Sequence, residues 1–390
     1  MSIGVYMKFN KIFSQNQVGF IAEIVEPVHH SFNIDYVKNE FLKDPELSAL
    51  PVETESGISG FIERDAVLKD QKKLDSILHK SIKNFVVSNT LFLKARENIE
   101  KALKDIFLSS KTQINNCMVY HNGDFCGIVN TRKLVAHILK LRNNELKRAR
   151  EVQKKILGHN KMDNSLFKSE VVIEMAHEVG GDFFLMKNLG DHKYIISCMD
   201  VSGKDVSASL ITGVVGGYFA SLEYFTNLSS LSGTEIITAL HNIIRARTPE
   251  GYFLAGVVVV IDSEKKEIEI FNMGYSPLCM VYKNTGENRI VIKNPTLPPI
   301  GLPNFKISDD LVIRENIKKG FSLFGFSDGL TDAQNSHGIA LGDKAVYELL
   351  KQSLKKNDQD ALNSVVKEVK NYIGTAPFAD DITAFMVNFK

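Results

Sequence analysis

Four acidic positions in this 390-residue sequence stand where apolar runs begin or end. Asp182 opens the run Phe183 to Met186, and Asp200 closes Tyr194 to Met199. Asp328 follows Phe321 to Phe326 within Ser327-Asp328-Gly329, and Asp380-Asp381 precedes Ile382 to Phe389. A lone aspartate beside a glycine is an ordinary turn former. Four acidic sites at strand ends are instead candidates to converge, and converging carboxylates frame a site for hard, oxygen-liganded cations.

The elements that must position them read as follows. Two apolar runs flank Gly190-Asp191, which predicts a β-hairpin with Asp182 and Asp200 together at one end. Val201-Ser202-Gly203 turns into a helix over Ser207 to Phe219, where Leu210, Ile211, Val214, Val215 and Phe219 keep helical spacing. Asp205 is placed to cap it.

These pieces resemble the SpoIIE/RsbU-type branch of the PPM family of metal-dependent serine/threonine protein phosphatases, over residues from about 160 to 390. The matching segments are Arg-Glu-Val-Gln-Lys-Lys-Ile-Leu (150–157), Val-Gly-Gly-Asp-Phe-Phe (179–184), Asp-Val-Ser-Gly-Lys (200–204), Leu-Pro-Pro-Ile-Gly (297–301), Ser-Asp-Gly-Leu-Thr-Asp-Ala (327–333) and Asp-Asp-Ile-Thr (380–383). The resemblance implies two Mn²⁺ or Mg²⁺ ions bridged by Asp200, with the Val201 carbonyl on one. Asp328 and Asp380 are similar to ligands of the first ion, and Asp182 to a carboxylate near the second. Asp200 and Asp328 are the implied catalytic positions. Carboxylate and water ligation suits both metals. Two such ions neutralise a doubly charged phosphomonoester and acidify a bridging water. In-line attack needs no covalent intermediate, which accords with the lack of a cysteine or histidine nucleophile motif.

The sequence departs from that pattern at Gly203-Lys204-Asp205, where the family has Gly-Lys-Gly, and at Asn272-Met273-Gly274-Tyr275-Ser276-Pro277, where it has Asn-Ala-Gly-His-Pro. Tyr275 leaves substrate placement open. Lys204 reads either as a point charge for phosphate or as a solvated lysine. His177, His241 and His337 have no partner at ligand spacing and read as ordinary residues.

Within 159–390 the expected elements are a first strand over Glu170 to Met175, the hairpin, two helices (Ser207 to Phe219; Ser232 to Arg247, with a Ser232/Thr234 capping signal), and antiparallel hairpins at 256–272 and 278–292. Helices at 342–355 and 360–373 and a final strand follow. Strands and helices segregate, which predicts an α+β fold of packed antiparallel sheets covered by helices. The αββα sandwich implied by the resemblance has that form.

Residues 1–142 form a mixed α/β region with an internal near-repeat. One half runs from a helix over Tyr36 to Phe41, through Leu50 to Glu53, to Gly57 through Asp65. The other runs from a helix over Ile99 to Phe107, through Asn116 to Tyr120, to Gly123 through Asn130. The arrangement resembles a pair of CBS motifs, regulatory modules that commonly bind adenine nucleotides and associate as pseudo-twofold pairs, which implies a nucleotide effector and a homodimer. The ribose-holding aspartate of such motifs is displaced by one residue at Asp65 and is replaced by Lys133. Asp65 reads as a helix cap. Residues 131–157 lack Pro and Gly and predict one linker helix ending at Gly158, its basic residues a solvated face.

A net charge of +1 gives no electrostatic case for nucleic acid. No apolar run approaches the ~18 residues of a membrane span, and no basic-then-apolar leader opens the chain. Cys117, Cys126, Cys198 and Cys279 lack metal spacing and read as reduced core residues, so the expected location is cytoplasmic. The expected partner is a phosphorylated regulator of the anti-sigma-factor-antagonist type. Two other readings compete with a phosphatase. Gly180-Gly181-Asp182-Phe183 resembles the diguanylate-cyclase signature but lacks its glutamate, and a non-catalytic scaffold would work through the CBS-like pair alone.

Overall fold

The computed structural model describes residues 12–68, 81–88, 91–109, 114–157, 161–190, 192–224, 231–283, 288–355 and 360–390. The chain divides into two units, Met1–Glu145 and Leu146–Lys390. Asp191 of the expected hairpin turn and Gly158 at the expected helix stop lie outside the described residues.

In the first unit, β1 (Val28–His29), α1 (Ile34–Lys43), β2 (Ala49–Thr54) and β3 (Gly57–Glu63) make a sheet of order β1-β2-β3, its first pair parallel and its second antiparallel. The same pattern recurs as β4 (Phe92–Lys94), α2 (Ile99–Ser109), β5 (Asn116–His121) and β6 (Asp124–Asn130). Even the register shift recurs, at Val52/Glu53 and at Val119/Tyr120. The halves are crossed. Val87, just ahead of the second half, bridges Phe61 of β3, and Glu23, just ahead of the first, bridges Ile128 of β6. Each crossing needs a glycine: a Cβ on Gly60 would meet the Val87 carbonyl oxygen at 2.4 Å, and one on Gly127 the Glu23 oxygen at 2.2 Å. The repeat read from the sequence is therefore present. Asp65 is not the expected cap; it sits in the first turn of a helix that begins at Arg64.

The helix α3 (Thr131–Ile156) leads into the second unit. There follow β7 (Lys161–Asp163), β8 (Phe167–Glu174), β9 (Asp182–Gly190), β10 (Lys193–Val201), α4 (Val206–Ser221), α5 (Gly233–Arg247), β11 (Leu254–Asp262), β12 (Glu267–Met273), β13 (Leu278–Tyr282), β14 (Arg289–Lys293), β15 (Ile313–Asn316), β16 (Phe321–Phe326), α6 (Asp343–Lys355), α7 (Ala361–Ile373) and β17 (Ile382–Phe389). They form a five-stranded sheet, β15-β12-β11-β10-β9, and a six-stranded sheet, β14-β13-β16-β17-β8-β7.

Alternation along the strands divides the core into three layers. Phe184, Ile196 and Val257 of the first sheet meet Leu278, Leu323 and Phe385 of the second between the sheets. Phe183, Met199 and Phe271 face outward into α4 and α5. Phe324, Phe326 and Met386 face α6 and α7 on the opposite side. Each fully buried phenylalanine contributes about 1.5–3 kcal/mol. This is the αββα sandwich. The first main strand starts earlier than expected, at Phe167 rather than Glu170, because the buried Phe167 ring packs against Tyr194 and Phe389. No described helix is long and apolar enough to cross a membrane, and all four cysteines are buried and unbridged.

Candidate metal centre

The hairpin sets two of the aspartates. Asp182 pairs directly with Asp200 in the β9–β10 register, so both side chains leave the same face, the one shared with Phe184 and Cys198 between the sheets. The glycines before Asp182 are fixed by space. A Cβ on Gly181 would lie 2.8 Å from the Val201 carbonyl oxygen and 3.5 Å from Asp200 Oδ1, and one on Gly180 would lie 1.8 Å from Asp381 Oδ2. Beyond them, α4 starts on Asp205, whose Oδ1 accepts from Ser207 N (2.9 Å) and Ala208 N (3.2 Å) as expected.

The second sheet supplies the other two. β16 and β17 pair as far as Phe326–Ala384, so the loop bearing Asp328 leaves the sheet beside the loop bearing Asp380. Their contact is tight: a Cβ on Gly329 would lie 1.9 Å from the Asp381 carbonyl oxygen and 3.4 Å from Asp380 Cβ. Ser327 N donates to the Thr383 carbonyl (2.7 Å), and Thr383 Oγ1 donates to Asp182 Oδ2 (2.5 Å), tying the two sheets at this end.

Burial, and then crowding by like charge, raises the carboxyl pKa values. Burial, then Asp200, holds the Asp182 carboxyl well above its ordinary value, and the Thr383 hydrogen bond opposes this. Asp200 is pushed up to about 7 by burial and by Asp328, Asp380 and Asp381, with Lys204 opposing. Asp328 is raised by burial, then by Asp380 and Asp332. An all-oxygen donor set carrying this much uncompensated negative charge fits hard divalent cations. Among the described residues, no three of these carboxylates bring one oxygen each within 4.8 Å of one another. Asp200, Asp328 and Asp380 must therefore draw together to share one ion.

Several contacts lie beyond the sequence reading. Asp381, adjacent to the candidate ligand Asp380, accepts from Ala176 N (2.7 Å) and Gly181 N (3.0 Å), pinning the loop ahead of Asp182. Gln153 of α3 holds the same loop from the other side. Its Nε2 donates to the Gly180 carbonyl (2.7 Å) and Thr212 Oγ1 (3.0 Å), and its Oε1 accepts from Gly180 N (3.2 Å). Gln153 lies in the 150–157 motif, but nothing in one sequence links it to Gly180. Lys204, half exposed, pairs with Asp380 Oδ2 (2.7 Å) and the Ala379 carbonyl (3.0 Å). Tyr275 is buried between the sheets with its hydroxyl 2.9 Å from Cys198 Sγ, so it packs beneath the site rather than facing a substrate. His241 stacks on Phe305 and accepts from Gly301 N, a packing role.

Comparisons with known proteins address the same region. The family model described as Stage II sporulation protein E (SpoIIE) matches residues 190–390. Protein IcfG of Synechocystis sp. is 24% identical over 271 residues, 62% of this chain and 41% of that protein. Phosphoserine phosphatase RsbP of Bacillus subtilis is 24% identical over 163 residues, 40% of this chain and 38% of that protein. The chain thus spans less than half the length of these curated relatives. Among solved structures, the SiaA-PP2C domain of Pseudomonas aeruginosa superposes with a TM-score of 0.53 at 18% identity, covering 65% of this chain and 99% of that one, and so shares the fold. The family match spans more than half of the residues and covers the loops of Asp200, Asp328 and Asp380: the chain belongs to the SpoIIE family, with a PPM-type phosphatase fold.

Proposed function

We propose that this chain is a metal-dependent protein phosphatase that removes phosphate from serine or threonine of a regulatory partner protein. The observation that carries the reading is the convergence of Asp182, Asp200, Asp328 and Asp380, with the Val201 carbonyl, at one end of the sandwich. Divalent cations, Mn²⁺ or Mg²⁺, would be held by Asp200, by Asp328 and Asp380 with the Val201 carbonyl, and by Asp182 at a second position. When bound, two such ions supply charge neutralisation and an acidified water. The residues around them set position: Asp381 and Gln153 fix the loop that carries Asp182, and Lys204 balances Asp380. A phosphoserine substrate is supported by the likeness to RsbP, and a partner of the anti-sigma-factor-antagonist type by the family.

The test is hydrolysis of a phosphoserine peptide with and without Mn²⁺. Asp200→Asn is expected to lower turnover more than ~10³-fold, beyond the loss of a single oxyanion-stabilising donor, with the fold retained. Near-normal turnover of that variant at saturating Mn²⁺ would sink the assignment. Metal-independent silence of the wild type would favour the scaffold reading.

The N-terminal repeat is read as a CBS-like regulatory pair that mediates homodimerisation and takes an adenine nucleotide. A polar cavity of about 420 Å³, lined by Glu63, Arg64, Asp65 and Arg132 among others, supports the effector reading. α3 carries the response because its Gln153 grips the Gly180 loop. Titrating AMP or ATP into the chain checks the effector, and the absence of heat with either removes it. A monomer by sedimentation would remove the dimer.

A further inference from the structure

We infer a second metal site of a different chemical kind, in the first half of the N-terminal repeat, where His29, His30 and Glu55 converge on a transition-metal cation of the Zn²⁺ class. Each residue offers one ligand atom, and all three atoms lie within 4.8 Å of one another. His30 Nε2 stands 3.2 Å from both Glu55 oxygens, and His29 Nε2 stands 4.0 Å from Oε1. Ligands of a tetrahedral Zn²⁺ at about 2.0–2.1 Å stand roughly 3.3 Å apart. The cluster therefore needs only a small adjustment to close on an ion, with water in the remaining position.

The backbone brings these residues together for reasons that precede any ligand. β1 lies parallel on β2 with His29 opposite Glu53, and His30 N donates to the Glu53 carbonyl (3.0 Å). That places both rings beside the β2–β3 turn. Glu55 sits at the tip of the turn, which Thr54 orders through Ser56 Oγ (2.9 Å) and the Gly57 carbonyl (3.1 Å). The ring centroids of His29 and His30 stand 4.4 Å apart with the planes tilted 37°, and one nitrogen of each ring approaches the one carboxylate.

The remaining ring nitrogen of His29 has a neighbour suited to metal ligation. A ligating histidine usually donates its other N–H to a neighbouring acceptor, which fixes the tautomer. His29 Nδ1 lies 2.7 Å from Ser31 Oγ and accepts from Ser31 N (3.3 Å); ligation through Nε2 moves the proton to Nδ1, from which it donates to Ser31 Oγ. His30 Nδ1 is buried without a hydrogen-bond partner, which leaves Nε2 as the nitrogen through which that ring interacts. Imidazole with one carboxylate selects Zn²⁺ and its neighbours in the transition series over Mg²⁺, the reverse of the preference at the aspartate centre.

The second half of the repeat is an internal control. Lys94 pairs with Tyr120 as His29 pairs with Glu53, Ala95 N donates to the Tyr120 carbonyl as His30 N does to Glu53, and Asn122 occupies the turn position of Glu55. Lysine, alanine and asparagine provide no such site, so the same backbone carries the ligand set in one half alone.

The experiment is Zn²⁺ titration of the full chain by competition with a chromophoric chelator, in excess Mg²⁺ to occupy the oxygen-ligated centre. Co²⁺ absorption then serves as a readout of nitrogen ligation. Wild type is expected to take up Zn²⁺ that Mg²⁺ does not displace. His30→Ala and the exposed-site variant Glu55→Gln should each weaken that uptake by at least ~100-fold, more than the loss of an outer-shell partner. Phosphatase activity and thermal stability of Glu55→Gln without Zn²⁺ should match wild type. Zn²⁺ uptake that is absent in wild type, or unchanged in both variants, overturns the site. Because the readout is binding rather than hydrolysis, its failure leaves the phosphatase reading untouched.

Discussion

Asp200 and Asp381 carry the same side chain at the same end of the sandwich and meet opposite surroundings. Asp381 is buried and satisfied: its two oxygens each accept a backbone N–H, from Ala176 and Gly181. Asp200 faces Asp182 across the hairpin; burial, then Asp328, Asp380 and Asp381, holds its proton up to about 7. A carboxylate whose acceptors are filled by fixed donors stabilises a fold, whereas one surrounded by like charge stores a demand for cations. Sequence position does not separate these roles; the donors do.

The contrast breaks if the two respond alike to loss of charge. Asp200→Asn carries the largest effect, the ~10³-fold loss of turnover expected above, yet removing its charge relieves repulsion in metal-free chain and should raise the melting temperature there. Asp381→Asn should do the reverse. The amide accepts at one oxygen only and turns an NH₂ toward the other buried N–H, a cost of about 1–3 kcal/mol. Melting of both variants in chelator at pH 7.5 checks the opposite signs, and two shifts of the same sign would refute the distinction.

Gln153→Leu sharpens the comparison from the other side of the same loop. It leaves the Gly180 N–H and carbonyl and the Thr212 hydroxyl without their present partner. The expected outcome is a half-saturating Mn²⁺ concentration raised roughly 10–100-fold, as for an outer-shell partner, with turnover at saturating metal within a few-fold of wild type. A variant with unchanged metal dependence would make the Gln153 clamp mere packing and would weaken the proposed route from α3 to the site.

Much of the site was legible because strand ends are. Apolar runs and the glycines beside them marked Asp182, Asp200, Asp328 and Asp380 and the hairpin that carries the first two. Asp381 was on the page as the neighbour of Asp380, but whether a buried carboxylate finds backbone donors depends on a loop far away in sequence. Gln153 failed for the same reason. Tyr275 looked like a departure at the substrate because its position was read by family place, while its burial follows from the inter-sheet packing around Cys198. In the N-terminal unit the repeat was visible through its two glycine-containing hairpins. The crossing at Glu23 and Val87 was not, since isolated bridges have no periodicity. His29, His30 and Glu55 were passed over because their spacing is that of a parallel strand pair, not of a local ligand motif.

The smallest expected effect is the pH dependence of the metal-free fold. A carboxyl whose folded pKa is raised contributes stability that is fully present below its unfolded value and is lost as pH rises through the folded one. For Asp200 that window runs from its ordinary 3.8 to about 7. Asp182 and Asp328 are raised too and add in the same direction. In chelator, the melting temperature of the second unit should therefore fall between about pH 5 and pH 7.5, each 1 kcal/mol lost appearing as roughly 2–4 °C for a unit of this size. Saturating Mg²⁺ should reverse the sign at the upper end, because a cation binds the ionised carboxylates and stabilises the form that alkaline pH produces. Asp200→Asn should flatten the metal-free slope. A wild-type melting temperature that rises across this window in chelator would mean that the aspartates are not crowded as the geometry requires.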